Sequence, residues 1–188
     1  HKSKLYNISV PILNELEKQT RGTEHLITLC DNKGRIIYLQ GDDHVLRKAE
    51  EMNFVLGADW SEKTAGSNAI GTCIAMRKPI QVFAQEHYCE GVHPWTCSAA
   101  PIKDPLTGEL LGVFDLTGPS DLAQPHSQGL AQSFSVFIQQ GFTNISRKIR
   151  RRLEECFEYA LKRWKYGATI VLDAALNPVA ADQKCLSL

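Results

Sequence analysis

The chain has 188 residues, 43% hydrophobic and 22% charged, enough for one well-buried soluble domain plus an extension. Lys plus Arg and Asp plus Glu are equal at 21 each, which excludes a global basic footprint for nucleic acid or membrane. No apolar run approaches a bilayer span and no signal-peptide pattern is visible, while His1 without a preceding Met points to a piece of a longer protein.

Ile8, Ile12, Leu13 and Leu16 fall at helical spacing, so Lys4–Gln19 is expected to be an amphipathic helix. Pro11 is awkward inside it. The alternative is a late start, with Ser9 as cap and Pro11 in the first turn. Leu26–Cys30 and Arg35–Leu39 read as strands around the turn Asp31-Asn32-Lys33-Gly34. Asp43–Asn53 is a short helix, and Leu56–Ser61 is a loop carrying Trp60. Thr64 or Ser67 can cap a helix through Ala69, Ile70, Cys73, Ile74 and Met76. Gly66 and Gly71 would let that helix lie close to a sheet. Ile80–Ala84 is a further strand, and Gln85–Pro94 a polar, aromatic loop.

Thr96–Lys103 and Glu109–Thr117 form the central hairpin. Asp104-Pro105-Leu106-Thr107-Gly108 between them has turn chemistry. Neither strand alternates cleanly between apolar and polar, so both faces are expected to be covered. If Asp104 lies opposite Gly108, Cys97 falls opposite Asp115.

After Pro119 the pattern is helical to Tyr166-Gly167. Phe134, Ile138, Phe142, Ile145, Ile149, Leu153, Cys156, Ala160 and Trp164 recur in steps of four, four and three. This eleven-residue repeat predicts a nearly straight or weakly right-handed helix pair. Its inner part would pack on the sheet and its outer part, to Ala160, on a partner helix in a homodimer. Gly141 is a weak point within it. Arg147–Arg152 holds five basic residues, but Glu154, Glu155 and Glu158 follow. Pairs such as Arg150–Glu154 and Arg151–Glu155 make this a solvated face rather than a nucleic-acid patch. Ala168–Asp173 reads as a strand and Ala174–Pro178 as a turn.

Several stretches resemble a known family. Thr64–Ala75 (TAGSNAIGTCIA), Glu86-His87-Tyr88, Trp95–Ile102 (WTCSAAPI) and Leu111–Gly118 (LGVFDLTG) are similar to the GAF sensor domain of sigma-54-dependent transcriptional activators, of the acetoin- and dihydroxyacetone-operon regulator type. Ser67 stands where that family usually has Thr. The likeness spans Leu26 to Pro119. It implies an α/β (α+β) fold, with a central antiparallel sheet of five to six strands and helices flanking it. The expected layout is a flanking helix (1–22), a GAF-like sensor domain (23–120), a long dimerisation and signalling helix (121–166) and a stub of a following domain of PAS type (167–188). The resemblance also implies a cytoplasmic regulator. Its ATPase and DNA-binding modules, which contact sigma-54 RNA polymerase and DNA, would lie outside this chain.

No G-x-S-x-G, phosphate-loop or H-E-x-x-H motif occurs, so no enzyme is expected. GAF-like domains bind ligands between the sheet and the helices and loops on one face. That makes Trp60, Asn68, His87, Tyr88, Trp95, Cys97 and Asp115 candidate walls for an unknown small metabolite. Trp60 and Trp95 fit a core role as well as ligand stacking. Asp115 lies between Phe114 and Leu116, so its carboxyl must be hydrogen-bonded, paired or protonated. It either ties down backbone N–H groups or meets a ligand. Two other readings stay open. One is a protein-interaction module read by a partner metabolic enzyme, its pocket collapsed around Phe114, Trp95 and Tyr88. The other is a metal or redox sensor built on His87, Cys89, His93 and Cys97, two imidazoles and two thiols within eleven residues. All six cysteines, Cys30, Cys73, Cys89, Cys97, Cys156 and Cys185, sit in apolar segments, which suits a reducing compartment.

Overall fold

The computed structural model describes residues 4–124, 126–164, 167–174 and 176–186. Helix α1 (Lys4–Thr20) runs through Pro11 without a break and buries Leu5, Ile8, Ser9, Leu13 and Leu16. The late start at Ser9 is therefore not taken. Ser9 is buried mid-helix, where its hydroxyl is without a partner. Strands β1 (Leu26–Asp31) and β2 (Ile36–Gln40) form the first hairpin. Its turn is set by Asp31, whose carboxylate accepts from Lys33 N and Arg35 N, and by Gly34 at φ 90°. Helix α2 (Asp43–Glu51) follows, then the short α3 (Glu62–Ala65) and α4 (Ala69–Met76). Strand β3 (Ile80–Phe83) leads through two short turns to β4 (Trp95–Lys103) and β5 (Leu110–Pro119).

Among the described residues these strands make one five-stranded antiparallel sheet in the order β2-β1-β5-β4-β3. The longest strands, β4 and β5, are at or beside its centre and are buried almost throughout. The central hairpin closes differently from the expected register. Asp104 pairs through its N–H with Glu109 O, and a bulge falls at Ile102/Lys103. Cys97 therefore lies opposite Thr117, and Ala99 opposite Asp115. The slip is two residues, so every side chain keeps its face.

One face carries Leu26, Cys30, Val113, Cys97 and Ala99, packed with Val45 and Ala49 of α2 and Ala69, Ile70 and Cys73 of α4. The opposite face carries Ile27, Leu29, Phe114 and Leu116. Here α1 and the start of α5 (Ser127–Arg163) form the cover. Phe114 meets Phe134 with ring centroids 5.7 Å apart. Strand β3 pairs with β4 only as far as Ala99. Beyond it, Ser135 of α5 donates to Pro101 O (2.6 Å), and Gln139 accepts from Lys103 N (2.9 Å). Gly141 has a positive reason to be glycine. A Cβ there would approach Ile8 of α1 to 2.9 Å.

The chain divides into two compact units, the first ending at Gly141 and the second beginning at Phe142. The second unit holds the outer part of α5, a two-stranded sheet of β6 (Ile170–Leu172) and β7 (Pro178–Ala181), and the short α6 (Gln183–Leu186). Along the eleven-residue stripe Ile138 and Phe142 are buried, whereas Ile145, Ile149, Cys156 and Trp164 are exposed. The ion pairs Arg150–Glu154 and Arg151–Glu155 form as expected, each at 3.1 Å. The expected helix end at Tyr166 and part of the expected turn, Ala175, lie outside the described residues. No described helix is long and apolar enough to cross a membrane.

Candidate functional site

Asp115 sits mid-strand in β5, directly across from Thr28 of β1 and Ala99 of β4, on the face covered by α4. It is fully buried. Thr117 donates to its Oδ2 at 2.5 Å and lies 3.2 Å from Cys97 Sγ. Asp115 Oδ1 has no partner, nor does the hydroxyl of Thr28 beside it. Burial pushes the Asp115 carboxyl up to about 7, with the Thr117 hydroxyl pulling the other way. The same burial, with Asp115 nearby, raises the thiols of Cys30 and Cys97 and takes Cys73 to about 12. The carboxyl does not tie down backbone N–H groups, one of the two roles expected for it.

The other candidate residues divide into three groups. Trp95 and Trp60 belong to the apolar cluster between the sheet and α2 and α4. Trp60 packs edge-on to Phe54 at 4.8 Å and donates its indole N–H to Asn53 O. Asn68, not Thr64 or Ser67, caps α4. Its Oδ1 accepts from Gly71 N (2.9 Å), and its Nδ2 donates to Trp60 O and Gly66 O. Those bonds make Asn68 a positioning residue for the α4 start. The two glycines of that motif also differ from expectation. They do not bring α4 onto the sheet. Gly66 accommodates the ring of Tyr88, and Gly71 the backbone of Glu62.

His87 is buried and donates from Nδ1 to Ala84 O at 3.0 Å, leaving Nε2 buried without a partner. Burial lowers its pKa. His93 donates from Nε2 to the backbone O of His87 (3.1 Å). Tyr88 is 78% exposed and Cys89 is exposed, whereas Cys97 is buried within β4. Trp60, Tyr88 and Cys89 line an open cleft of about 310 Å³ with Met52, Asp59 and Gly66. The geometry thus brings Cys97 to Asp115 but leaves Cys89 in a surface loop. Among the described residues no three His, Cys, Asp or Glu side chains converge as metal ligands. The collapsed set of Phe114, Trp95 and Tyr88 does not form. Phe114 faces the other side of the sheet and Tyr88 faces solvent. Thr28 and Thr117 were not among the sequence candidates. The signal for both is a hydroxyl in an otherwise apolar strand.

This arrangement has relatives. Residues 3–140 match the family model described as the N-terminal domain of MimR. The chain belongs to the MimR N-terminal domain family. An uncharacterized 47.3 kDa protein in the thcA 5′ region of Rhodococcus erythropolis is 42% identical over 124 residues, 65% of this chain and 28% of that protein. The acetoin dehydrogenase operon transcriptional activator AcoR of Bacillus subtilis is 36% identical over 138 residues, 73% of this chain and 23% of AcoR. The chain therefore spans about a quarter of the length of these two relatives. Escherichia coli DhaR(N), solved in complex with DhaL, has the same fold. Its TM-score is 0.78 at 16% identity, over 97% of this chain and 62% of that one. The MimR-type domain here thus has the α+β fold of DhaR(N), and its relatives include transcriptional activators.

Proposed function

We propose that this chain is the N-terminal regulatory part of a cytoplasmic sigma-54-dependent transcriptional activator, and that it senses a small metabolite on the α4 face of its sheet. The observation that carries this reading is Asp115. A fully buried carboxyl with one unpartnered oxygen, beside an unpartnered Thr28 hydroxyl, is costly unless something hydrogen-bonds to it in another state. A ligand bearing a hydroxyl or amine would meet both groups. The buried Trp60, Trp95 and Cys97 would form its apolar surround, with His87 Nε2 a further acceptor. Because these side chains are buried, binding requires α4 or its preceding loop to move. A ligand that favours the moved arrangement shifts the population toward it.

The functional division runs from a flanking helix (1–22) through the sensor (23–120) to a signalling helix (121–166). A stub of a PAS-type domain (167–188) follows. Signal would leave along α5, whose exposed Ile145, Ile149 and Cys156 fit a partner helix in a homodimer. The chain itself is not an enzyme on this reading. ATP hydrolysis, DNA binding and contact with sigma-54 RNA polymerase fall to further domains. Native mass spectrometry of the chain purified from its host tests the proposal. A retained small molecule, lost in Asp115→Asn with the fold intact, is expected. The same adduct retained in Asp115→Asn would refute it.

A second reading is recognition of a partner protein, supported by the likeness to DhaR(N), solved with DhaL, and by the exposed rings of Tyr88 and Phe83. Tyr88→Ala would then abolish partner capture while leaving any small-molecule adduct in place. A redox or metal role for Cys89, Cys97, His87 and His93 is the weakest of the three. Burial raises the Cys97 thiol, which disfavours the reactive thiolate.

A further inference from the structure

The face of the sheet away from Asp115 has its own opening. Helix α1 and the start of α5 approach closely where Ile8 meets Gly141, but they leave a groove of about 410 Å³ at the other end. Leu16 of α1, Leu116 of β5, and Leu130 and Phe134 of α5 give it apolar walls, with Gln19, Thr20 and other polar side chains lining it between them. His25 stands at its inner end. His25, Leu116 and Ser127 also border a chamber of about 10 Å³ against the sheet, the size of a single water site.

Thr96 lines that chamber. Its side chain is 96% buried, being 4% exposed, and its hydroxyl has no partner. A hydroxyl in such a place ordinarily has one. His25 is held with a defined polarity. Its Nδ1 lies 2.6 Å from Thr23 O, and a carbonyl only accepts, so Nδ1 carries the hydrogen. In the neutral ring Nε2 is then an acceptor. The ring lies against the backbone of Gly118, where a Cβ would come within 2.9 Å of it. A glycine at that point keeps the ring in place at the chamber wall.

We propose that this groove is a second small-molecule site, for an alcohol or phenol. An alkyl or aryl body fits the four apolar walls. Its hydroxyl would take the water-sized chamber, donating to His25 Nε2 and accepting from the Thr96 hydroxyl once that buried group turns toward it. The volume falls in the range of small-ligand pockets. The position joins the sheet, the end of α1 and the first turns of α5, so occupancy would bear on how those helices pack. This site is independent of the Asp115 face and does not rest on the function proposed for it.

The test uses the full chain, methyl-labelled, titrated with phenol. Saturable shifts at Leu16, Leu116 and Leu130 are expected. Toluene, which lacks the hydroxyl, should bind about fivefold to tenfold more weakly. Thr96→Val should weaken phenol by a similar factor, and Thr96→Ser should restore it. The proposal is overturned if shifts do not saturate, if toluene binds as well as phenol, if Thr96→Val has no effect, or if Thr96→Ser fails to restore binding. It is also overturned if contacts between chains show a second copy filling the groove.

Discussion

The two faces of the sheet solve the same packing problem with different results. Under α2 and α4 the cover is short, and it closes over an apolar cluster with buried Thr28, Asp115 and Thr117 beside it. Under α1 and α5 the cover is two long helices that close at Ile8 and Gly141 and part at Leu16 and Leu130. One face therefore holds a buried carboxyl with one oxygen unpartnered, and the other an open groove beside a small chamber that Thr96 borders. A polar group sealed in costs stability until something binds it. On the other side the apolar part of a groove is open, and only the buried Thr96 hydroxyl needs a local shift to be met. The difference separates a site that must open from one whose apolar part is already open.

The largest expected effect is on packing of the α1/α5 face. Phe114→Ala should cost about 3–5 kcal/mol in urea unfolding, since Phe114 is fully buried against Phe134. A cost below about 1 kcal/mol would show that this face is not packed as described.

On the α4 face the expected sign is opposite. Asp115 has its pKa raised from 3.8 to about 7. Protons therefore bind the folded state more tightly than the unfolded one. The resulting stability is fully present below about pH 4 and is lost as pH rises through about 7. Asp115→Asn should flatten that fall and leave the protein about 2–4 kcal/mol more stable than wild type at about pH 8. His87 contributes with the reverse slope. Burial lowers its pKa, so its contribution is present above the ordinary histidine value and is lost as pH falls. Chemical denaturation across that range, with and without each substitution, separates the two. An unchanged profile in Asp115→Asn would mean the carboxyl is not buried as described.

Asn68→Ala should be milder, about 1–2 kcal/mol, through loss of the α4 cap. If it instead removed ligand binding at full stability, Asn68 would belong to the site. The smallest effect is expected at Tyr88, 78% exposed. Tyr88→Ala should change stability by less than about 0.5 kcal/mol. A larger cost would show that its ring is held against Gly66 more firmly than its exposure implies.

Much of the framework was legible in the chain because it rests on local chemistry. The Asp31–Gly34 and Asp104–Gly108 turns and the apolar strands beside them place both hairpins. Register was less legible. The bulge at Ile102/Lys103 adds a residue that no pattern in the strand announces. Parity survived, so Cys97 and Asp115 share a face as expected. The capping role of Asn68 was not legible, because a cap and a ligand contact look alike in sequence. Only the bond to Gly71 N distinguishes them. The helix over Lys4–Gln19 was legible from its apolar spacing, but Pro11 left a late start at Ser9 open, and it is tertiary packing of Leu5 and Ile8 that carries α1 past the proline. The groove between α1 and α5 could not be read at all. It depends on how far apart two helices stand, more than a hundred residues apart in the chain.

The most direct measurement is a carbon-13 NMR titration of the Asp115 carboxyl in the intact chain. A midpoint near 7 is predicted, because the group is buried with one oxygen unpaired. A midpoint near the ordinary carboxylate value of about 4 would mean that the group is solvated or paired, and the α4 face would lose its claim as the sensing site.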